Sequence, residues 1–161
     1  MRRDRTNGAI VFVAVIAIVI MIAGIFVSSQ TNRATTNTGA DLLATNAASP
    51  DVQTTASGLQ YQVVVEGTGP RPTAADTVTV NYEGKLVDGT IFDSSYARNQ
   101  PATFPLSNVI AGWTEGLQLM PVGSTYIFTI PPELGYGSRG ASGVIPPNAT
   151  LIFTVELLSI Q

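Results

Sequence analysis

One run of the chain decides how the rest must be read. Residues 9–27 (AIVFVAVIAIVIMIAGIFV) are apolar throughout except for Gly24. As a helix rising 1.5 Å per residue the run spans about 28 Å, close to the roughly 30 Å hydrocarbon core of a bilayer. It has no polar face, which argues against a buried core helix in so small a protein. Arg2, Arg3 and Arg5 precede it against Asp4, so residues 1–8 are expected to stay cytoplasmic and the remainder to be exported. The rival reading is a cleaved signal peptide, with Val27 and Ser29 as small residues before Gln30; the run is longer than the usual hydrophobic region of such a peptide. Both readings export the rest of the chain. No cysteine follows the run, so lipoprotein anchoring is excluded.

Composition removes several function classes. The 161 residues carry a net charge of −3, with Lys85 the single lysine; no basic stripe is present for nucleic acid. There is no cysteine and no histidine. Disulfides, thiol catalysis and thiolate metal sites fall away together, along with the commonest general base and zinc ligand. No second long apolar run exists, which excludes a multi-spanning protein. No cofactor and no metal are expected.

Residues 28–57 are rich in Thr, Asn, Ala and Ser, with only Leu42, Leu43 and Val52 sizeable and apolar. They read as a flexible tether, in which Ala40–Ala48 is the one stretch that could form a short helix. From Gly58 strands and turns take over. In Leu59–Val65, Tyr61, Val63 and Val65 alternate with Gln60, Gln62 and Val64. In Thr77–Glu83, Val78, Val80 and Tyr82 share a face. Asp88-Gly89 between Leu86-Val87 and Thr90-Ile91-Phe92 signals a hairpin. Ser94–Pro105 reads as a loop. Ser107 is expected to cap a short helix with Val109, Ile110, Trp113, Leu117 and Met120 on one side. Thr125–Ile130 and Leu151–Ile160 are strands, separated by a long Pro/Gly loop over 131–149. The expectation is an α+β domain over 58–161, five to six antiparallel strands packed on one short helix.

The acids are scattered, and no spacing marks a glycosidase pair. Gly135–Gly143 lacks the GK[ST] ending of a phosphate loop. Asn148-Ala149-Thr150 fits a glycosylation acceptor but reads as a turn before the last strand. What stands out is an aromatic and aliphatic set at strand ends and loops: Tyr82, Phe92, Trp113, Tyr136 and Phe153, with Val109, Ile110, Val144 and Ile145. An ordinary core would use the same residue types. Two details favour a site: Phe92-Asp93 sets a charge beside an aromatic at a hairpin end, and Tyr136 and Ile145 lie in a long loop that a core does not need.

The segments VTVNYEGKLVDGTIFDSS (78–95), FPLSNVIAGWTEGLQLMPVGS (104–124) and ELGYGSRGASGVIPPNATLIFTVELLSI (133–160) together resemble the FKBP-type peptidyl-prolyl cis-trans isomerases, the macrolide-binding immunophilins. The resemblance is nearest to their bacterial exported branch, similar to macrophage-infectivity-potentiator proteins. It implies a pocket between helix and sheet with Trp113 as floor and Tyr82, Phe92, Val109, Ile110 and Phe153 as walls. Tyr136 is implied at the rim, its hydroxyl donating to a ligand carbonyl, and the Ile110 N–H donating to another. Asp93 is implied as a buried carboxylate near the reacting amide, held by Tyr82 and paired with Arg98; its other reading is a cap of the turn through Ser94-Ser95. Val144 and Ile145 are implied as the loop overhanging the proline. Ala102 stands where many relatives carry an aromatic, and Ala141 where some carry a histidine.

The implied chemistry suits a chain without histidine or cysteine. Turning an X–Pro bond crosses a barrier of about 18–20 kcal/mol set by amide resonance, and no bond is made or broken. A dry apolar pocket favours the twisted amide over either planar form, which is differential binding of the transition state. The implied substrates are X–Pro-containing exported polypeptides, with macrolides as further ligands. The alternative is a non-catalytic module that holds a proline-containing loop. No helical dimerisation arm and no large insert between Tyr136 and Ile145 are seen, so a monomer is expected.

Overall fold

The computed structural model describes residues 38–161. The expected cytoplasmic segment 1–8, the anchor over 9–27 and the first part of the tether lie outside the described residues. Among the described residues no helix is long and apolar enough to cross a membrane.

In chain order the elements are helix α1 (Gly39–Ala47), strands β1 (Gln53–Thr54), β2 (Gln60–Val65), β3 (Thr77–Leu86), β4 (Ile91–Ser94) and β5 (Ala102–Pro105), helix α2 (Ala111–Leu117), and strands β6 (Thr125–Ile130) and β7 (Leu151–Ile160). Single 3₁₀ turns occupy Leu106–Asn108, Pro132–Leu134 and Gly137–Arg139. All strand pairs are antiparallel, in the order β1-β2-β6-β7-β3-β4. β5 shares one edge of β3 with β4: β5 pairs Thr77–Val80, and β4 pairs Glu83–Lys85. The class is α+β, as expected, but among the described residues there are seven strands rather than five to six and two α-helices, the one expected to pack on the sheet and the short one that Ala40–Ala48 could form. The extra strands are short pieces, β1 and β5, whose pairing comes from the neighbouring strand rather than from any periodicity of their own.

Alternation accounts for the central strands. On β7, Leu151, Phe153, Val155 and Leu157 are buried, and every intervening residue is less so. They meet Phe128, Ile130 and Tyr126 of β6 and Val78, Val80 and Tyr82 of β3 in one core under α2. Gly112 and Gly116, one turn apart, let α2 lie directly on β6: a Cβ there would fall 2.7 Å from Ile130 and 2.6 Å from Phe128. The hairpin at Asp88-Gly89 forms as expected. Gly89 has φ +90°, Leu86 N–H donates to Thr90 O, and Thr90 N–H donates to the Asp88 carboxylate. Asn148 also turns at positive φ, +57°.

Three expectations are corrected. The tether expected over 28–57 is structured where it is described. α1 opens with a capping box between Thr38 and Asp41, which satisfies donors at the helix start. It docks on the sheet, with Asn46 Nδ2 donating to Thr129 Oγ1 and Gln60 Nε2 donating to Leu43 O, and β1 then pairs β2. The same docking buries Gln60, on the supposedly polar side of β2, while Val63 and Val65 are exposed. Finally, the helix expected from Ser107 starts later. Ser107 lies in a 3₁₀ turn, Val109 is extended, and Ile110 is the residue before α2, with no side-chain cap. Thr114 Oγ1 donates back to Leu106 O, tying the turn to the helix and leaving Val109 and Ile110 as a connecting step.

Candidate functional site

The sheet delivers rings from separate strands onto one side chain of α2. Trp113, 4% exposed, is met edge-on by Tyr82 of β3 (centroids 5.2 Å, 88°), Phe104 of β5 (5.5 Å, 88°) and Phe153 of β7 (5.3 Å, 79°). Phe92 of β4 stands edge-on to Phe153 at 5.4 Å and 86°. Edge-to-face pairs place the positive ring edge on the negative ring face, and each contributes about 0.5–1.5 kcal/mol beyond the area it buries. The perpendicular geometry also fixes ring orientation, so the cage is held rigidly from below. The Trp113 Nε1–H is buried without an acceptor, an unmet donor costing about 1–3 kcal/mol.

Polar groups gather beside Tyr82. Its hydroxyl donates to Asp93 Oδ2 at 2.5 Å, and Arg98 Nη1 donates to Asp93 Oδ1 at 2.5 Å. Arg98 Nη2 donates to Tyr82 Oη at 3.0 Å, and its guanidinium carbon lies 5.8 Å from the Tyr82 ring centroid. Burial pushes the Asp93 carboxyl upward, but the bonds from Tyr82 and Arg98 outweigh it and hold it below the usual carboxylate range. Burial, then the bond to Asp93, raises the Tyr82 phenol above its ordinary value. Both therefore keep their ordinary charge states at neutral pH.

Asp93 departs from its implied position. Its side chain is 41% exposed and that of Arg98 50%, so this is a rim ion pair rather than a buried carboxylate. The reason lies in β4, an edge strand whose Ile91 and Asp93 sides are open to solvent. Capping of the following turn falls to Ser94, whose Oγ accepts from Ala97 N–H.

The remaining candidates divide. Ile145 is 6% exposed and belongs to the core; Phe92, Val109 and Ile110 pack against that core half-buried. An antiparallel bridge between Ala141 and Ile145 closes the loop tip. Tyr136 and Val144 are 42% and 55% exposed, and the Tyr136 hydroxyl has no hydrogen-bond partner among the described residues. The Ile110 N–H likewise has no acceptor there. Phe104 was not among the residues singled out from the sequence. Its strand is four residues long and was read as loop, so only the ring contacts reveal it.

This arrangement agrees with comparison to known proteins. Residues 69–158 match the family described as FKBP-type peptidyl-prolyl cis-trans isomerase. Residues 26–63 match a domain described as amino terminal to FKBP-type peptidyl-prolyl isomerase, which again counts against a featureless tether. The chain is 58% identical over 123 residues to an FKBP-type peptidyl-prolyl cis-trans isomerase FkpA of Aeromonas hydrophila, covering 76% of this chain and 46% of that one. It is 50% identical over 123 residues to the outer membrane protein MIP of Legionella longbeachae, covering 76% and 53%. The crystal structure of FkpA from Escherichia coli superposes with a TM-score of 0.74 at 48% identity, over 76% of this chain and 57% of that one. The chain thus spans about half the length of the curated relatives it matches. With a family match that runs through β3 to β7 and carries every ring around Trp113, the chain belongs to the FKBP-type peptidyl-prolyl cis-trans isomerases.

Proposed function

We propose that this protein accelerates cis/trans isomerisation of X–Pro bonds in exported polypeptides, held to the outer side of the cytoplasmic membrane by residues 9–27. The observation that carries the reading is the ring cage on Trp113, apolar at its base and polar only at one rim. The proline ring seats above Trp113, between Phe92 and Phe153 on one side and Val109 and Ile110 on the other. Tyr136 and the Ile110 N–H, both without partners in the described domain, donate to carbonyls of the bound peptide. Val144 and Ile145 overhang the proline.

Catalysis in this reading is exclusion of water plus preorganised contacts. The planar amide is the more charge-separated form, so a dry pocket disfavours it relative to the twisted amide. Each 1.4 kcal/mol of that difference is about tenfold in rate. Asp93, pinned by Tyr82 and Arg98, orients the Tyr82 ring and sets a negative rim; it transfers no proton. Macrolides compete for the same pocket. The export reading rests on the apolar run and its flanking arginines, and a relative named as an outer membrane protein supports it.

The test is exchange spectroscopy on an Ala-Pro peptide with the full chain in detergent micelles, with and without a macrolide. Acceleration that the macrolide abolishes supports the enzyme. Peptide binding without acceleration turns the reading into a tethered proline-recognition module. Protease accessibility in intact and opened cells tests the orientation.

A further inference from the structure

Where β3 and β4 part, one buried side chain takes over from the ladder. Their register runs Gly84↔Asp93 and Glu83↔Ser94, and one further step would set Tyr82 opposite Ser95. In an antiparallel hydrogen-bonded pair the two residues exchange both main-chain bonds. Only half of that exchange is made here. Ser95 N–H donates to Tyr82 O at 2.9 Å, whereas Tyr82 N–H donates to the Ser95 side chain, at Oγ, 2.8 Å away. The Ser95 carbonyl is thereby released, and it accepts from the N–H groups of Arg98 and Gln100, each at 3.2 Å. Those two bonds close the turn that brings Arg98 back to Asp93. The hydroxyl proton stays inside, within reach of Tyr82 O at 3.3 Å and Asn81 Oδ1 at 3.4 Å. Ser95 is 0% exposed, so solvent does not stand in for any of these partners. Tyr82 and Arg98, the two residues that clamp Asp93, are thus both tied through their main chains to one serine.

We propose that Ser95 is a positioning residue of the proline site, its hydroxyl setting Tyr82 and Arg98 against Asp93 and holding the Tyr82 ring edge-on to Trp113. The proposal rests on the proposed function, since Tyr82 matters there as part of the pocket. The turn cap does not account for Ser95, because Ser94 Oγ already accepts from Ala97 N–H. Alanine at position 95 has no acceptor for Tyr82 N–H. The domain then has two responses. It leaves that donor orphaned in the interior, or it swings the carbonyl of residue 95 back to Tyr82 and opens the turn that carries Arg98. Either response moves one of the two clamps, and the rim of the pocket moves with it.

The experiment compares the full chain in detergent micelles with Ser95→Ala, Ser95→Thr and a control, Thr129→Val. Thr129, 5% exposed, accepts from Asn46 of α1, so the control removes a buried hydroxyl bond outside the ring cage. Isomerase kcat and KM on an Ala-Pro peptide are read beside a carbon-13 titration of the Asp93 carboxyl. Ser95→Ala should lower kcat about fivefold, the rate equivalent of one neutral hydrogen bond of about 1 kcal/mol. KM should change by less than about twofold, the pattern of a contact that matters in the transition state. The Asp93 titration should move up toward its ordinary range as Tyr82 and Arg98 loosen their hold. Ser95→Thr keeps the hydroxyl and should restore both readouts, and Thr129→Val should lose stability while changing neither. If Ser95→Ala melts below the assay temperature, all four proteins are compared in trimethylamine N-oxide, which favours the folded state. A folded Ser95→Ala with wild-type kcat and an unmoved Asp93 titration would overturn the proposal, and so would an equal loss of kcat in Thr129→Val. A wild-type chain that binds the peptide without acceleration would end the isomerase reading, and the Asp93 titration alone would then decide whether Ser95 holds the cluster.

Discussion

Gly84 on β3 stands opposite Phe153 on β7, and a Cβ built there would lie 2.6 Å from the Phe153 ring and 2.7 Å from that of Phe92. The missing side chain is what lets two rings cross edge-on above the strand. Gly84→Ala is therefore expected to displace both rings, with an overpacking penalty of about 1–3 kcal/mol. Urea unfolding would measure that loss. Isomerase kcat/KM should fall further than the fraction of folded protein explains, and a variant with normal turnover would show that the ring pair is not part of the site.

Phe104 should matter to turnover as much as the rings found from sequence. Phe104→Leu keeps an apolar side chain in β5 but removes two edge-on contacts, to Tyr82 and Trp113. Losing one such contact's worth of transition-state stabilisation, about 1.4 kcal/mol, lowers kcat/KM roughly tenfold. A circular-dichroism melt run beside the rate assay separates this from unfolding.

The Asp93–Arg98–Tyr82 cluster predicts an acid-side dependence. Because the folded-state Asp93 value is depressed, its contribution is fully present above the unfolded value of about 3.9. It fades as pH falls through the lower folded value. Solvent screening keeps the effect small for so exposed a pair. The wild-type urea midpoint should drop between pH 5 and pH 2 more steeply than that of Asp93→Asn. Parallel curves for the two would argue that the ion pair contributes nothing to folding.

Glu156 has the opposite sign. Burial raises its carboxyl above the ordinary value, and the bond from Asn81 Nδ2 only partly offsets this. The folded state therefore binds more protons between the unfolded and folded values, and stability falls as pH rises through that window. Glu156→Gln keeps a partner for Asn81 without a charge. It should be more stable than wild type at pH 7 and lose that advantage near pH 4; thermal melts at the two pH values test this.

α1 should behave as part of the domain rather than as a leash. A Cβ at Gly39 would fall 2.1 Å from Thr150 Oγ1, so Gly39→Val is expected to lift the start of the helix from the base of β7. Hydrogen exchange at Asp41–Ala47 should then quicken while β3 and β6 stay protected. Unchanged exchange would mean that the helix does not depend on that contact.

What could be read in advance follows from where the information sits. β3 and β7 declare themselves because burial on one face imprints a period of two on ten residues, β6 because Tyr126, Phe128 and Ile130 alternate with Thr125, Ile127 and Thr129 although both its faces are largely covered, and Asp88-Gly89 because only a positive φ closes that turn. Contacts of Tyr82 and Arg98 with Asp93 were anticipated through the family resemblance and are present. α1 leaves a faint trace: Ala40–Ala48 reads as a stretch that could form a short helix, and the helix spans Gly39–Ala47, but its docking on the sheet could not be foreseen. Its two leucines are its sole large apolar residues, and it is secured by long-range hydrogen bonds to Gln60 and Thr129, which leave no local pattern. Val109 and Ile110 fitted a helical spacing with Trp113, but a 3₁₀ turn fixed by the Thr114–Leu106 bond ends before them. The exposure of Asp93 depends on β4 lying at an edge, which is a property of strand order and not of the segment itself.

The position of β7 has a consequence for the birth of the molecule. It lies between β3 and β6 and binds both, yet it is the last strand in sequence. A chain made from its N-terminus therefore presents the β2–β6 and β3–β4–β5 groups with no strand to join them, and the sheet cannot close until residues 151–160 have emerged. Contacts of such long sequence separation make assembly slow. Until then the ten prolines of the chain sample both isomers, so that under the proposed function the protein is itself a client of the activity it would supply.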